Sequence, residues 1–290
     1  MMKNLILTPQ SLYRIAAHNI AARRRSAASR IAVSCWSSDS GIAAYCRTIV
    51  PLFAAAAFAV LLMGGCVVAN ISAIDQVEPK GVQTVYEINT GAFNSIKASG
   101  QFDIHYYAGE SDTVTLKIQP NVRNYYSVEV INGQLVARTS GWISFGASDL
   151  PVLTVTAPSL KSLVIDGACN FTGHDKISTD TLAFVINGAG ICNCELDAAS
   201  LTAEISGAGK ITLSGNASAA DYNMSGAGEL DALALSTGNA KVKFSGAGRL
   251  ALNCTGNLDI KANGFGVIQY SGSPNVSLSQ NGFVSISRVN

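Results

Sequence analysis

The sequence predicts an all-β protein, a parallel β-helix or β-solenoid of about seven or more coils with an irregular β cap at its N-terminal side. The first observation is a short phrase, Gly-Ala-Gly or a close variant, that recurs through the last part of the chain at intervals of 18 to 21 residues. A repeat this short cannot bury its own apolar face and must stack on its neighbours. The first glycines of the seven copies are Gly167, Gly188, Gly207, Gly226, Gly246, Gly264 and Gly282.

The second observation is the alternation of apolar and polar residues on both sides of each glycine. The positions two before, four before and four after the glycine are apolar almost without exception, and the positions between them are mostly polar. A period of two is typical of strands with one buried face. The position two before the glycine holds Ile165, Ile186, Ile205, Met224, Phe244, Ala262 and Gln280.

Each aligned glycine is interpreted as a corner at which the chain turns to begin the next face of a coil. Glycine supplies either a positive φ or a tight bend without a Cβ clash. The residue before it is always Asp, Asn or Ser, as in Asp166, Asn187 and Ser206. Such short side chains are expected to bond back to the local backbone at a bend.

Two outward columns indicate the register in which the coils stack. Consecutive repeats place Asp221, Lys241 and Asp259 in one column. They place Lys210, Glu229 and Arg249 in another. Opposite charges on adjacent strands favour pairing by a few tenths of a kcal/mol each. We interpret these charges as solvated markers of register and not as a site.

Residues 83–158 are predicted to form the cap, continuous with the repeat solenoid of residues 159–290. One hairpin is expected from Phe102–Tyr107 and Thr113–Ile118. A second is expected from Ser127–Ile131 and Gln134–Arg138, with Asn132-Gly133 as its two-residue turn. At the other end, the last strand is an unpaired edge unless something covers or joins it.

Residues 1–65 are interpreted as a targeting segment, of which the first 47 are candidates for a misassigned start. The run Thr48–Met63 carries no charge and is short for a membrane-spanning helix, but it fits the apolar core of a signal peptide. The following Gly64-Gly65-Cys66 completes a sequence that resembles the lipobox of bacterial lipoproteins. Cys66 is therefore the expected lipidation site, with residues 66–82 as a tether. The alternatives are an ordinary cleaved signal peptide and an uncleaved anchor.

The charge distribution bears on the class of partner. The formal net charge is +1, but the residues before Cys66 contain seven Lys or Arg and one acid. Subtracting these from the totals of 20 basic and 19 acidic residues leaves 13 and 18, a net charge of about −5 for the remainder. A mildly acidic body without a basic stripe predicts no nucleic-acid partner.

Four cysteines follow the targeting segment: Cys169, Cys192, Cys194 and Cys254. In an exported protein they could form disulfides in three pairings. Because Cys192 and Cys194 occupy inward positions of the repeat, we favour buried small hydrophobic residues. Neither a second cysteine pair nor a histidine lies near them in sequence, so no metal site and no cofactor are predicted.

The candidate ligand contacts are Trp142 and Phe145, in the Gly- and Ser-rich loop 140–148. Their rings could stack on sugars or on a protein partner. The alternative is that the loop folds over the cap and buries both rings. His105 and the sequence His174-Asp175-Lys176 are interpreted as exposed strand and turn residues. No catalytic residue is predicted.

Several phrases together resemble the bacterial family called putative auto-transporter adhesin, head GIN domain. They are Phe93-Asn-Ser-Ile-Lys-Ala-Ser-Gly-Gln-Phe-Asp-Ile, the Asn132-Gly133-Gln-Leu hairpin, Val155-Thr-Ala-Pro-Ser-Leu-Lys-Ser-Leu and the Ser-Gly-Ala-Gly repeats. The similarity runs from about Ala92 to Asn290. It implies a β-solenoid on envelope-associated, often lipidated proteins, and it brings no catalytic residues.

The predicted function is that of a non-enzymatic cell-envelope lipoprotein that serves binding, adhesion or structural spacing at the periplasmic or outer-membrane face. Its expected partners are the membrane, through the lipid, and a polysaccharide or protein ligand. One alternative is a polysaccharide-acting enzyme, since β-helices often host such chemistry, although fold alone does not establish it. The other is a scaffold that forms homo-oligomers through solenoid edges or faces.

Overall fold

The structure is a computed structural model that describes residues 77–141, 143–145 and 150–289. These residues belong to one compact unit that begins at Ser72. The predicted targeting segment, Cys66 and most of the predicted tether lie outside the described residues, as does Trp142. Among the described residues, no helix is both long enough and apolar enough to cross a bilayer.

The described chain is built almost entirely of strands. Seven precede the repeats: β1 (Thr84–Ile88), β2 (Ser95–Ser99), β3 (Gln101–Ala108), β4 (Thr113–Ile118), β5 (Tyr126–Ile131), β6 (Gln134–Thr139) and β7 (Val152–Ala157). A 3₁₀ helix, Pro120–Tyr125, connects β4 to β5. The repeats contain β8 (Ser162–Ile165), β9 (Ala168–Gly173), β10 (Ile177–Ile186), β11 (Ala189–Ile205), β12 (Ala208–Met224), β13 (Ala227–Phe244), β14 (Ala247–Cys254), β15 (Asn257–Ala262), β16 (Phe265–Ser271), β17 (Asn275–Gln280) and β18 (Phe283–Arg288).

The repeats stack as parallel coils, which confirms the predicted β-solenoid. Residues at the same place in consecutive coils are paired, as in Ala189 with Ala208 and Ile205 with Met224. The longest strands run without a break from one corner glycine to the next. Within β11 the alternation of burial changes phase once, at Ala199 and Ser200, which are both exposed. A strand must bend where two successive residues face outward.

The interior is one continuous apolar column through cap and repeats. Every inward position two before the corner glycine is buried from Ile165 to Ala262, as the alternation predicts. Aromatic rings fill the first coils, where Tyr106 lies 6.3 Å from Phe171 and Phe171 lies 6.2 Å from Phe184 between ring centroids. Each coil therefore depends on its neighbours for burial, which is the physical reason for the stack.

The cap continues the parallel ladder and adds antiparallel strands to it. Strands β2 and β3 form one coil. Strand β2 lies between β6 and β8, and strand β3 lies between β7 and β9. The predicted hairpin of β5 and β6 is confirmed. Its turn residues Asn132 and Gly133 have φ values of 51° and 75°. Two positive φ angles are the signature of the type I′ turn that Asn-Gly favours.

The other predicted hairpin is wrong. Strand β7 lies between β3 and β4, so that Val155 pairs with Tyr106 on one side and Val114 on the other. Strand β4 pairs antiparallel with β7 and β1. Two alternating segments joined by a short Gly-containing turn look the same whether they pair with each other or with a third strand. The sequence pattern could not distinguish these arrangements.

The corner glycines align along the stack, but positive φ is not the reason for glycine. None of the seven aligned glycines is among the described residues with positive φ. Instead, a Cβ at Gly188, Gly207 or Gly226 would overlap the carbonyl oxygen of the glycine in the preceding coil. Glycine is required because two backbones approach closely at each corner.

The residues before the first three corner glycines, Asp166, Asn187 and Ser206, bond to other side chains. Asn187 Nδ2 donates to Asp166 Oδ1 in the preceding coil at 2.8 Å, and Lys97 Nζ lies 2.9 Å from Asp166 Oδ2. Ser206 Oγ donates to Glu204 Oε1 at 3.0 Å. The expected bond to local backbone is thus replaced by side-chain contacts, two of which cross between coils.

The charged columns mark register as predicted. Lys210 is paired with Glu229, and Glu229 with Arg249. Their charged atoms meet at 3.1 Å and 3.0 Å. In the other column, Lys241 is paired with Asp221 and with Asp259.

All four cysteines in the repeats are buried free thiols, which agrees with the favoured interpretation. Burial raises the pKa of the Cys169 thiol to about 12 and raises that of Cys192 well above its ordinary value. They pack as small apolar side chains in the core.

The C-terminal end of the solenoid is open in the described part of the chain. Strands β17 and β18 pair on one side only, with β15 and β16. Leu278 stands in an inward column whose other members are buried, yet it is 50% exposed. The expected unpaired edge is therefore present, and the apolar interior of the coil reaches solvent there.

Candidate ligand-binding groove

The groove lies where Phe145 and Leu150, from the loop between β6 and β7, approach the corner of the first coils. Its floor is the alanine column, which we define as Ala168, Ala189, Ala208 and Ala227. Phe145 and Leu150 of the loop form one wall. Ile191 lines the floor beside the column. The groove has a volume of about 630 Å³, which is within the range of small-molecule binding sites.

The alanine column follows directly from the repeat. Each alanine comes after a corner glycine, faces outward and is exposed. Ala189 is paired with both Ala168 and Ala208, so the methyl groups repeat along the stack at the strand spacing. Because alanine is the smallest side chain with a Cβ, the corner becomes a shallow apolar trough. Beyond Ala247 the same position holds Phe265 and Phe283, whose rings stack at 5.5 Å.

Phe145 combines features of both predicted alternatives. Its ring packs against the core and meets the edge of Tyr126 at 6.2 Å with an interplanar angle of 70°. It is only partly buried, and it also lines the groove. The loop is fastened by Ser140 N donating to Tyr125 O at 2.7 Å and Ser144 N donating to Val77 O at 3.2 Å. The role of Trp142 stays a prediction because that side chain lies outside the described residues.

Ile191 is a groove residue that the sequence analysis missed. It is 44% exposed and lines the groove beside the alanine column. Its place in the repeat is three after the corner glycine, where later coils carry Lys210, Glu229 and Arg249. An isoleucine between Asn170 and Lys210, in an outward column that is polar except for Ile191 and Val267, was the available signal.

The polar groups of the groove are largely uncharged. Gln101 and Asn170 contribute side-chain amides. Lys210 contributes an ammonium that Glu229 neutralises at 3.1 Å. The hydrogen bond from Lys210, with a further one from Arg249, lowers the pKa of Glu229 below its ordinary value. The groove therefore offers an apolar floor, one aromatic edge and amide hydrogen-bonding groups.

A second depression of similar volume, about 670 Å³, lies over β2 and β6. Its lining is mainly polar and includes Lys97, Asn132 and Arg138. It has no aromatic side chain in its lining. We therefore take the groove at the alanine column as the candidate site.

The described residues offer little of what a hydrolase requires. A general acid needs a raised pKa, but the pKa of Asp166 is lowered by its hydrogen bonds from Asn187 and Lys97, and that of Glu229 is lowered as well. In the described part of the chain, no three His, Cys, Asp or Glu side chains converge as metal ligands.

His105 and His174, interpreted separately as exposed residues, do contact each other at 2.7 Å.

The described chain is thus a β-solenoid with an apolar trough on its surface. The chain belongs to the family described as putative auto-transporter adhesin, head GIN domain, whose model matches residues 92–274. No curated protein matches the chain.

Solved structures with the same fold come from species of Bacteroides and Parabacteroides. A putative adhesin from Bacteroides fragilis NCTC 9343 has 23% identity, covers 73% of this chain and 100% of its own, and has a TM-score of 0.70. A putative lipid binding protein from Parabacteroides distasonis ATCC 8503 has 20% identity, with coverages of 74% and 100% and a TM-score of 0.59. A putative adhesin from Parabacteroides merdae ATCC 43184 has 21% identity, the same coverages and a TM-score of 0.56. Each of these solved chains is matched over its whole length, so the shared fold includes both the cap and the repeats.

Proposed function

We propose that the chain is a non-enzymatic lipoprotein of the bacterial cell envelope whose solenoid binds a surface polysaccharide through the groove at the alanine column. Membership of an adhesin-like family supports a binding role at the cell surface or envelope. The groove supplies the surface on which the binding takes place. Cys66 carries the lipid that holds the domain at the membrane.

The observation that carries the proposal is the composition of the groove. Sugars present apolar C–H faces and a ring of hydroxyl groups. The alanine methyls and Phe145 suit the apolar faces, and the amides of Gln101 and Asn170 suit the hydroxyls. The column spans four coils about 4.8 Å apart, so it favours an extended ligand over a compact one.

An enzymatic role has weaker support. Parallel β-helices that cleave polysaccharides need carboxylates at a defined separation, one of them protonated. Glu229 and Asp231 instead share the guanidinium of Arg249, at 3.0 and 3.7 Å. Ion pairing of this kind favours the charged carboxylate and disfavours proton donation.

The groove is tested on an array of bacterial surface polysaccharides with the compact unit of residues 72–290, which contains the cap and the repeats and is called the solenoid in the experiments below. Ala208→Trp places a large ring on the exposed floor without removing any core contact, and it is expected to abolish binding. Phe283→Ala is the matched control, because Phe283 is 81% exposed and occupies the same column far from the groove. The proposal fails if the wild type binds no polysaccharide, or if both variants bind as it does. Binding of the wild type to a protein ligand alone would also refute the polysaccharide proposal.

The lipid anchor is tested by mass spectrometry of the mature N-terminus. We expect a mature chain that begins at an acylated Cys66, and Cys66→Ala is expected to release the protein from the membrane fraction. An unmodified terminus at another residue would remove the lipoprotein part of the proposal and leave the groove untouched.

Self-assembly is a second candidate, favoured by the open C-terminal coil. Val276 and Leu278 are 42% and 50% exposed, and the edges of β17 and β18 are unpaired within the described residues. Unpaired strand edges with apolar side chains are templates for association. Light scattering of the solenoid distinguishes an oligomer from a monomeric binding module.

A further inference from the structure

Two histidines that are 69 residues apart in sequence meet on the surface of the first coils. His105 Nδ1 and His174 Nε2 are 2.7 Å apart. The ring centroids are 5.0 Å apart and the ring planes differ by 19°. The two rings are therefore nearly parallel and meet at their nitrogen-bearing edges. In this arrangement one imidazole donates its proton to the other.

The contact is built by the pairing of the solenoid strands. Asp103, His105 and Tyr107 alternate along β3 and share its outward face. The neighbouring β9 is paired with β3 as far as Gly173, and the loop after it begins with His174. His105 is four residues further along β3 than the groove residue Gln101, a distance of about 13 Å at the rise of a strand. The contact between the two histidines is therefore distinct from the groove.

The loop that carries His174 is held at three points. His174 N donates to Tyr106 O at 2.9 Å. Asp175 Oδ2 accepts a hydrogen bond from Ala108 N at 3.1 Å. Lys176 Nζ lies 2.8 Å from Glu195 Oε1. The position of His174 over β3 is therefore set by backbone and side-chain bonds that do not involve its own ring.

Both rings also have neighbours that orient them before a metal binds. His105 Nε2 donates to Asp103 Oδ2 at 3.3 Å, which leaves Nδ1 as the free lone pair of the neutral ring. The Tyr107 ring stacks on His174 at 4.5 Å, with planes 6° apart. A carboxylate on the far nitrogen of an imidazole is the usual outer partner of a metal-binding histidine.

We propose that His105 Nδ1 and His174 Nε2 form a bidentate site for a late first-row divalent metal ion, with Cu²⁺ bound most tightly. Two cis nitrogens at roughly 2.0–2.1 Å from a metal stand about 2.9 Å apart in square-planar geometry and about 3.4 Å apart in tetrahedral geometry. The observed separation is set by the hydrogen bond between the rings and is close to the square-planar value, so chelation requires the rings to turn more than to move apart. The sequence-based expectation of no metal site rested on the cysteines and did not consider this pair.

Binding requires a tautomer change and a rotation, and no net loss of protons from the neutral pair. His174 moves its proton from Nε2 to Nδ1, so that both facing nitrogens present lone pairs. Its exposed ring then turns until the two lone pairs converge on the metal. Water completes the coordination sphere, because the Asp175 carboxylate is already bonded to Ala108 N. Copper leads the divalent series for nitrogen ligands.

The test is a titration of the solenoid, residues 72–290, with Cu²⁺. This range contains His105 and His174 but not the third histidine of the chain, His18. Calorimetry and electron paramagnetic resonance are expected to show one tight equivalent with hyperfine structure from two nitrogens. The double variant His105→Gln with His174→Gln measures the Cu²⁺ that binds elsewhere, such as at the chain terminus. This amount is subtracted from the binding of the wild type.

Single variants separate chelation from other contacts. His105→Gln or His174→Gln is expected to lower affinity by at least tenfold and to remove one nitrogen from the spectrum. Asp103→Asn is expected to lower affinity by about tenfold while both nitrogens remain. Asp180→Asn, an exposed carboxylate on β10, is the matched control and leaves affinity unchanged. The inference is overturned if the wild type binds no more Cu²⁺ than the double variant, or if one histidine alone accounts for binding.

Discussion

Gly246 stacks directly on Gly226, and a Cβ at Gly246 would overlap the Gly226 carbonyl oxygen. The same relationship links Gly207 to Gly188 and Gly264 to Gly246. It explains why the repeat keeps glycine at this place although the local φ would allow other residues. The close approach also brings the following alanines into one exposed column, so the packing constraint and the groove have the same origin.

Substitution of a corner glycine should destabilise the whole stack. Gly246→Ala must move two backbones apart, because the atom that it would meet is a carbonyl oxygen and not a flexible side chain. We expect the free energy of unfolding to fall by about 2 kcal/mol or more. Urea unfolding followed by circular dichroism measures the change.

Gly91→Ala is the matched glycine control for that experiment. A Cβ at Gly91 has no atom within 4 Å, and its φ lies outside the left-handed region. Stability is expected to be unchanged or to rise by up to about 1 kcal/mol. Equal losses in the two variants would mean that close backbone contact is not the reason for the corner glycines.

Buried tyrosines should make the protein sensitive to alkali. Burial raises the pKa of Tyr106 and of Tyr222 to about 12, from an ordinary value of 10. Because the unfolded state loses these protons first, the stabilisation is complete below pH 10 and is lost as pH rises towards 12. For fully buried Tyr222 the difference is worth roughly 2–3 kcal/mol by pH 12.

The measurement is the free energy of unfolding at pH 8, 10 and 11.5. Tyr222→Phe is expected to show a shallower fall above pH 10. At pH 8 it should be less stable by about 1 kcal/mol, since Thr237 Oγ1 loses its 3.3 Å partner in the core. Parallel pH profiles for Tyr222→Phe and wild type would contradict the assignment.

The four cysteines of the solenoid should be unreactive in the native state. The thiolate is the reactive species, and burial disfavours it at Cys169 and Cys192. We expect a thiol reagent to modify none of the four at pH 8 within the lifetime of the folded state. In urea without reductant it should modify all four, whereas two or none would reveal disulfides.

The open coil supplies a prediction about association. If the solenoid associates through this end, Leu278→Glu should lower the mass seen by light scattering, since it places a charge on exposed apolar surface. Its neighbour Ser277→Glu, which is also exposed but on the opposite side of β17, should lower it less. An unchanged mass with Leu278→Glu would exclude this end as the contact.

Local patterns predicted most of the solenoid because each coil repeats the same local rules. Alternation around the glycines gave the buried columns, and the charges at Lys210, Glu229 and Arg249 gave the register that the ion pairs confirm. The reason for glycine was only half predicted. A carbonyl from another coil is invisible in the sequence of a single repeat.

Features that join distant segments escaped the sequence analysis. Strand β7 separates β3 from β4, although the two are adjacent in sequence. His105 and His174 appeared as unrelated exposed residues until the pairing of β3 with β9 brought them together. Ile191 was detectable as an apolar residue in a mostly polar column, but its place in a groove depended on the loop that carries Phe145. Such contacts arise from topology, which local periodicity does not encode.

The most direct test of the binding surface uses the alanine methyl groups themselves. The solenoid is labelled with ¹³C at alanine methyls and titrated with a polysaccharide that binds on the array. We predict that the resonances of Ala168, Ala189, Ala208 and Ala227 shift together, while those of buried Ala203 and Ala262 do not. Shifts confined to alanines elsewhere, such as Ala219 and Ala240, which line a separate depression, would contradict the account.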